Sequence, residues 1–185
     1  NEWRAEGSKL LYQQHGGGFG ILARTFAEDY ERTTADHFFT WGWGGKNKTT
    51  SILKPGIKKN KSSSHPRHTL LVCVDMPKYT YQIVFGPMPN RVEKMVSQTE
   101  AFLRNFRSEI TVTPYHHDYG NEMLQRIFAA SPNAKVELSG RSGPPYTKHS
   151  LVICNSLTTT WLESIALGIP TIAFFDEDMH QIRPS

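Results

Sequence analysis

The feature that most constrains the fold is a short run in which every residue is apolar, Leu151-Val152-Ile153-Cys154. A strand that faces water on one side alternates polar and apolar residues, so a run without alternation suits a strand buried on both faces. A polar turn follows at once, and helical spacing then runs from Thr158 to Leu167, where Gly168 ends it. This succession of strand, turn and helix is typical of a parallel sheet covered by helices.

The same alternation recurs through the second half of the chain. Helical spacing is found from Asn90, which is expected to cap its helix with Glu93 as partner, to Phe106, and again from Asn121 to Ala130. Further strands are predicted at Thr69–Val74, Ile110–Thr113, Ala134–Leu138 and Pro170–Phe175. The pattern predicts an α/β fold with a Rossmann-like parallel sheet flanked by helices.

Composition divides the chain. Residues 46–68 are rich in lysine and poor in apolar side chains, which predicts a basic loop or linker, or a contact with an anionic membrane face. Residues 1–45, with strands at Lys9–Gln13 and Phe38–Trp41 around a helix at Ala27–Thr33, are expected to be an interdomain, cleft-lining segment from the end of an N-terminal domain. Residues 69–185 are expected to form the Rossmann-like domain, truncated in a fragment that is inactive alone.

Composition also excludes several classes of protein. With 185 residues, 38% apolar and 21% charged, the chain is neither disordered nor collagen-like, and it has no apolar run long enough to cross a bilayer. Cys73 and Cys154 each lie in an apolar run, which predicts buried, reduced thiols and a cytoplasmic protein. A pI near 9.1 permits anionic partners such as nucleotides or phospholipid surfaces without requiring nucleic acid.

The turn after the apolar strand is the first candidate site. Unpaired backbone N–H groups and the helix dipole favour an anion at a helix start, and α/β folds bind ligands at this edge of the sheet. Glu163, one turn further along, can accept hydrogen bonds from a ribose. Alternatively, Ser156 or Thr158 only caps the helix and Glu163 lies on the surface. The residues predicted to bind the donor are Asn155, Ser156, Thr158, Thr159 and Glu163.

A glycine-rich loop near the amino terminus is the second candidate. Gly16, Gly17 and Gly18 allow a ligand to approach the backbone closely and permit positive φ, and the neighbouring His15 can act as a general base. Alternatively, this is a flexible loop with a surface histidine; a dinucleotide-binding fingerprint does not fit the glycine spacing. Trp43 is expected to line the same cleft, stacking on a sugar or base, or to pack in the interior.

No metal is expected at either remaining cluster of potential ligands. His116, His117 and Asp118 are adjacent, so their side chains diverge, and we expect them to line the cleft after the Ile110–Thr113 strand. Asp176 and Asp178 form a D-x-D element that can clamp a metal diphosphate, but acidic residues are common after a strand.

Two resemblances extend this interpretation. The segment Glu163 to Pro170 has the form E-x-x-A-x-G-x-P and resembles the C-terminal, donor-binding domains of GT-B glycosyltransferases. Three further segments resemble a bacterial family of transferases from surface-carbohydrate gene clusters, and more distantly the glycerophosphotransferases of teichoic-acid synthesis. They are Gln14-His15-Gly16-Gly17-Gly18-Phe19-Gly20, Trp41-Gly42-Trp43-Gly44 and Tyr115-His116-His117-Asp118-Tyr119-Gly120.

These resemblances imply a metal-independent transferase of surface polysaccharide synthesis, at work in the cytoplasm or at the inner face of the membrane. Its partners would be a nucleotide-activated sugar donor and a carbohydrate or lipid-linked acceptor, with no separate cofactor and no nucleic acid. Glu163 would hold the ribose, and His15 would be the catalytic base or a phosphate contact. The alternatives are a nucleotide-sugar epimerase of the same fold, a glycerophosphotransferase, and a non-catalytic binding module.

Overall fold

The computed structural model describes residues 5–23, 25–44, 48–52, 68–78, 89–139, 143–178 and 180–184. The chain divides into two compact units. The first comprises Asn1–Lys58 together with His180–Ser185, and the second comprises Lys59–Met179.

The first unit contains a small parallel sheet. Its elements are β1 (Leu11–Gln13), α1 (Phe26–Thr34), β2 (His37–Trp41) and β3 (Thr49–Ile52), with the strands in the order β1-β2-β3. Phe19, Ala35 and Phe38 form its buried apolar core. The strands and the helix predicted within residues 1–45 are therefore present, and they belong to a unit with a sheet and a core of its own.

This division differs from the boundaries predicted from composition. β3 lies inside the range predicted as a basic loop, because Thr49, Thr50 and Ile52 are β-branched and suit a strand that pairs with β2. Residues 46–47 and 53–67 of that loop lie outside the described residues. The last residues of the chain also join the first unit, where Arg183 N donates to Ile21 O at 2.8 Å. The predicted domain 69–185 therefore ends before residue 180.

The second unit is a five-stranded parallel sheet in the order β6-β5-β4-β7-β8. Each strand runs parallel to its neighbours, and helices connect most of them. In chain order, the elements are β4 (Thr69–Val72), α2 (Pro89–Asn105), β5 (Ile110–Thr113), α3 (Met123–Ala130), β6 (Lys135–Val136), a 3₁₀ turn (Tyr146–Lys148), β7 (Leu151–Cys154), α4 (Thr159–Ala166) and β8 (Thr171–Ala173).

Apolar side chains cover both faces of this sheet. Leu71 of β4 and Ile153 of β7 share a core with residues of α2 and α3, whereas their neighbours Leu70 and Val152 share another with Tyr146 and Trp161. Successive residues of a strand point to opposite faces, so a strand covered on both sides needs an apolar residue at every position. The expectation of a sheet buried on both faces, with helices flanking it, is confirmed.

The strand order also determines where a ligand can bind. β5 and β6 lie on one side of β4, and β7 and β8 lie on the other, so the direction of winding reverses between β4 and β7. In open parallel sheets, the crevice outside the carboxyl ends of such a strand pair is the usual ligand site. Here that position is occupied by the residues that follow Val72 and Cys154.

Two further findings concern the cysteines and the length of the helices. Cys73 and Cys154 are both free and buried, as predicted, and burial raises the pKa of the Cys154 thiol to about 12. No helix within the described part of the chain is both long enough and apolar enough to span a membrane.

Candidate functional site

Asn155 connects the ends of β4 and β7. Its Oδ1 accepts a hydrogen bond from Val74 N at 2.7 Å, and its Nδ2 donates to Thr99 Oγ1 at 3.2 Å. Both Asn155 and the following Ser156 are buried. Asn155 therefore holds the turn after β7 against β4 and α2, and Ser156 is enclosed within that turn.

Helix α4 begins directly after this turn. Thr158 is its N-cap residue in an extended conformation, and among the contacts of the described residues its side chain makes no capping hydrogen bond to the helix. The Thr158 hydroxyl instead lies 3.1 Å from the hydroxyl of Thr160. The alternative in which the Thr158 side chain caps the helix is therefore wrong. Thr158 and Thr159 are half-buried and lie where the helix dipole is positive.

Glu163 lies in the second turn of α4 and is half-buried, so it is not the free surface residue of the alternative interpretation. Its Oε2 accepts a hydrogen bond from the Tyr146 hydroxyl at 2.8 Å. This contact holds the Glu163 carboxylate beside the sheet face on which Tyr146 packs with Leu70 and Val152. Burial, and then the negative charge of Glu163, raise the pKa of Tyr146 far above its ordinary value, so the phenol remains a hydrogen-bond donor.

The D-x-D carboxylates after β8 already have a cationic partner. Lys94 Nζ lies 2.8 Å from Asp176 Oδ2 and 3.6 Å from Asp178 Oδ2. The hydrogen bond from Lys94 lowers the pKa of Asp176, and the same bond raises the pKa of Lys94. Within the ranges that the structure describes, no three His, Cys, Asp or Glu side chains come together as a metal site.

The loop after β5 carries His116, His117 and Asp118 on its exposed surface. The two imidazoles do diverge, because His116 packs against Tyr115 and His117 against Tyr119, with ring centroids 4.3 and 4.7 Å apart. Asp118 Oδ1 accepts hydrogen bonds from the backbone N–H groups of Gly120 and Asn121. Asp118 thus shapes a turn, at the same sheet edge as the turn after β7.

Asp75, which the sequence analysis did not single out, anchors this loop through hydrogen bonds. It is buried shortly after β4, following Cys73 and Val74, and its Oδ1 accepts from Asn121 Nδ2 at 2.6 Å. Tyr119 N donates to its other oxygen at 3.2 Å. The sequence did offer one signal for Asp75, a carboxylate a few residues after a buried strand. Its partners, Tyr119 and Asn121, could not be foreseen because they lie 44 and 46 residues further along the chain.

In the first unit, His15 pairs with a carboxylate that the sequence did not predict. His15 Nε2 lies 2.8 Å from Glu31 Oε1 on α1, and its ring packs edge-on against Phe19 with centroids 4.9 Å apart. The histidine side chain is 63% exposed, whereas that of Glu31 is only 13% exposed. A fixed carboxylate thus orients an accessible imidazole.

The glycine-rich loop is held by Gln14, which is fully buried. Its Oε1 accepts from Trp41 N and from Trp43 Nε1 at 2.9 and 2.7 Å, and its Nε2 donates to Gly16 O at 2.9 Å. Positive φ occurs at Gly20 and at none of the residues Gly16, Gly17 and Gly18. A Cβ at Gly18 would lie 2.8 Å from Leu22 Cδ1, so a larger residue there requires the Leu22 side chain to shift.

Trp43 packs within the first unit. Its indole N–H is bonded to Gln14, its ring lies against Gly20, and the guanidinium groups of Arg32 and Arg183 lie 5.5 and 6.0 Å from the ring centre. This arrangement favours the packing role over stacking on a ligand.

The predicted residues therefore form two sets. Asn155, Ser156, Thr158, Thr159 and Glu163 come together at the carboxyl edge of the five-stranded sheet, with His116–Asp118 at the same edge beyond β4. His15, Gly16–Gly18 and Trp43 come together in the first unit. The residues that sequence reasoning missed are the polar partners Glu31, Tyr146, Lys94 and Asp75.

The chain was compared with curated proteins, solved structures and protein-family models. No curated protein matches it significantly. Among solved structures it is similar to MurG from Acinetobacter baumannii, a GT-B glycosyltransferase, with 13% identity and a TM-score of 0.50 over 97% of this chain. The chain spans about half, 50%, of the MurG chain. The predicted α/β fold of GT-B type is thereby confirmed. The family model described as LIC12162 family transferase matches residues 1–185, and the chain therefore belongs to the LIC12162 family of transferases.

Proposed function

We propose that this chain is the donor-binding part of a glycosyltransferase that uses a nucleotide-activated sugar to build a bacterial surface polysaccharide. The observation that carries the proposal is the geometry at the reversal point of the sheet. There the turn after β7 is bonded to the end of β4, and it leads directly into α4, which bears Glu163. The MurG-like fold and the transferase family support the same class of reaction.

In this proposal, the donor diphosphate lies at the start of α4. Backbone N–H groups and the helix dipole favour the negative charge, and the hydroxyls of Thr158 and Thr159 add donors. Because these groups are fixed before the reaction, they stabilise the charge that develops on the leaving nucleotide. Asn155 and Ser156 contribute by holding the turn, and Glu163 accepts hydrogen bonds from the ribose.

We infer that the reaction needs neither a metal nor a separate cofactor. The two carboxylates best placed in sequence for a metal, Asp176 and Asp178, share the Lys94 ammonium, which pairs with Asp176 at 2.8 Å and lies 3.6 Å from Asp178. The positive end of α4 then supplies the electrostatic stabilisation that a metal gives in other transferases.

His15 is the proposed base on the acceptor side. Its contact with Glu31 favours the tautomer in which Nε2–H donates to the carboxylate, and Nδ1 then has the lone pair that accepts a proton. The acceptor is a carbohydrate or a lipid-linked carbohydrate. We propose that the enzyme works in the cytoplasm, at the inner face of the membrane. Gly16–Gly18 border the acceptor in the first unit, and His116–Asp118 border the donor in the second.

Calorimetric titration of the full-length protein with UDP-, GDP-, CDP- and CMP-activated sugars tests the donor site. We expect one class to bind and Glu163→Gln to weaken that binding by about tenfold or more, the usual effect of losing hydrogen bonds to a charged group. Glu109→Gln, at the opposite edge of the same sheet, is the matched control and should bind normally. Failure of every donor to bind, or unchanged binding by Glu163→Gln, contradicts the proposal.

Product analysis then separates the transferase from its main alternative. A transferase leaves the sugar of its donor unchanged until an acceptor is added. Conversion of the sugar nucleotide with no acceptor present identifies an epimerase instead.

A further inference from the structure

We propose that Tyr146 is a positioning residue for ribose recognition. Its hydroxyl fixes the Glu163 carboxylate on α4, and the pair thereby selects ribonucleotides over deoxyribonucleotides. This inference rests on the donor site proposed above and names a residue that acts there without touching the donor.

The geometry of Tyr146 suits such a role. Its side chain is 5% exposed and belongs to the apolar cluster that includes Leu70, Val152 and Cys154 on one face of the sheet. Its hydroxyl donates to Glu163 Oε2 at 2.8 Å. A phenol held by packing along its whole ring therefore presents one O–H group, at a defined place, to a carboxylate on α4.

The physical effect of this contact is preorganisation. A glutamate side chain has several rotatable bonds, and ordering it on binding costs conformational entropy. Tyrosine has few rotatable bonds, and those of Tyr146 are already restricted by burial. Tyr146 therefore orders Glu163 before a ligand arrives, and such ordering raises affinity by lowering the cost of binding.

The consequence for specificity follows from what a carboxylate recognises. Ribose presents two adjacent hydroxyl groups, and a carboxylate in a fixed position accepts hydrogen bonds from such a pair. A site built to bond a hydroxyl discriminates strongly against an analogue that lacks it. If the Glu163 side chain is free to rotate away, binding of the deoxy analogue does not leave its carboxylate facing a missing hydroxyl. The preference for the ribonucleotide over the deoxy analogue then falls.

The test compares ribonucleotides with their 2′-deoxy counterparts by calorimetric titration of the full-length protein. The probes are UDP and dUDP, GDP and dGDP, and CDP and dCDP. We expect wild type to prefer the ribonucleotide and Tyr146→Phe, which removes only the hydroxyl, to reduce that preference by about threefold to tenfold, or 0.6–1.4 kcal/mol. In a Glu163→Gln background, Tyr146→Phe should change the preference no further.

Controls separate positioning from a structural role. Tyr12→Phe, a half-buried tyrosine of the first unit, should leave the preference unchanged. Glu163→Asp keeps the charge but shortens the side chain away from Tyr146, so it should reproduce the loss of preference even if Tyr146→Phe folds poorly. A lower melting temperature with an unchanged preference means that the pair only anchors α4, and it overturns the inference.

The outcomes also distinguish the two proposals. If wild type binds no nucleotide, the donor site and this inference are both wrong. If wild type binds and prefers the ribonucleotide, but Tyr146→Phe and Glu163→Asp keep the same preference, the donor site stands and the role of Tyr146 is wrong.

Discussion

At the scale of single residues, Glu28 shows how a buried charge is accommodated. Its side chain is inaccessible to solvent, and its two oxygens accept from Gly20 N at 2.8 Å and pair with Arg32 and Arg183 at 2.9 Å. A buried carboxylate is tolerated only when it is paired and hydrogen-bonded in this way. Glu28 thus fixes the end of the glycine-rich loop that carries His15.

Gly20 is the residue of that loop that we expect to tolerate substitution least. Its φ is +78°, and an added Cβ would overlap the indole ring of Trp43. Gly42 has a similar φ of +84° but open space around it, so it is a matched control. Both alanine variants carry the backbone strain of roughly 1–2 kcal/mol, and Gly20→Ala should lose about 1–3 kcal/mol more in urea unfolding. Equal losses would contradict the packing of Trp43 on this loop.

Single residues were predictable where their chemistry shows in a local pattern. Glu163 and His15 were singled out because of the segments around them. Their partners Tyr146 and Glu31 lie 17 and 16 residues away and have no pattern of their own. Side chains that far apart meet only because strands and helices bring them together, so sequence spacing contains no signal for the pairing.

At the scale of elements, α2 and α3 are joined by ion pairs around Arg126. Its guanidinium donates to Glu93 at 2.7 and 2.9 Å and also contacts Glu100 of α2. Beneath these pairs, the two helices share the apolar core on one face of the sheet. The charges thus add to a contact whose main support is apolar burial.

The Arg126 network predicts a pH-dependent stability. The hydrogen bond from Arg126 lowers the pKa of Glu93 and of Glu100 from 4.5, so the folded state binds fewer protons than the unfolded state as pH falls. The contribution is complete above the unfolded pKa and is lost as pH drops through the folded values. Urea unfolding should show Arg126→Met destabilised by about 1 kcal/mol near neutral pH and much less at about pH 3.

The control for this prediction is Lys135→Met. Lys135 lies 3.5 Å from Glu109, but both side chains are largely exposed, so the pair is screened by solvent. Its loss should change stability little at either pH. A pH-independent effect of Arg126→Met would show that its apolar stem, rather than its charge, joins the helices.

Elements were predicted well where their signal is local. The bounds of β5 and β7 agree with the prediction, and Gly168 has the left-handed φ of +77° expected after a helix. Asn90 was expected to cap α2 with Glu93 as its partner, but it lies inside the helix, and Glu93 bonds Arg126 instead.

At the scale of the whole chain, the last residues close the first unit. Ala23 N donates to Gln181 O at 2.7 Å, Arg183 N donates to Ile21 O at 2.8 Å, and the Arg183 side chain pairs with Glu28. The composition of residues 180–184 does not distinguish them from the strand region before them. Their place in the first unit comes from backbone pairing and from a buried charge.

Deleting residues 180–185 should therefore loosen one unit only. Glu28 loses one of its two arginines, so amide hydrogen exchange in α1 and in the 18–22 segment should become about tenfold faster or more. Exchange in β4 and β7 of the second unit should be unchanged. Arg183→Met should show most of the same effect, and equal acceleration in both units would contradict the assignment.

The sequence alone determined the class of the fold and the kinds of chemistry available. An apolar strand without alternation requires cover on both faces, and a polar turn before a helix places donors at its start, because both effects depend on neighbouring residues only. Tertiary structure alone decided the strand order that brings β4 beside β7, the return of the chain end, and the partners of Glu163, His15 and Asp176. Those pairings depend on packing between distant segments, and no local pattern of residues records which distant segments will meet.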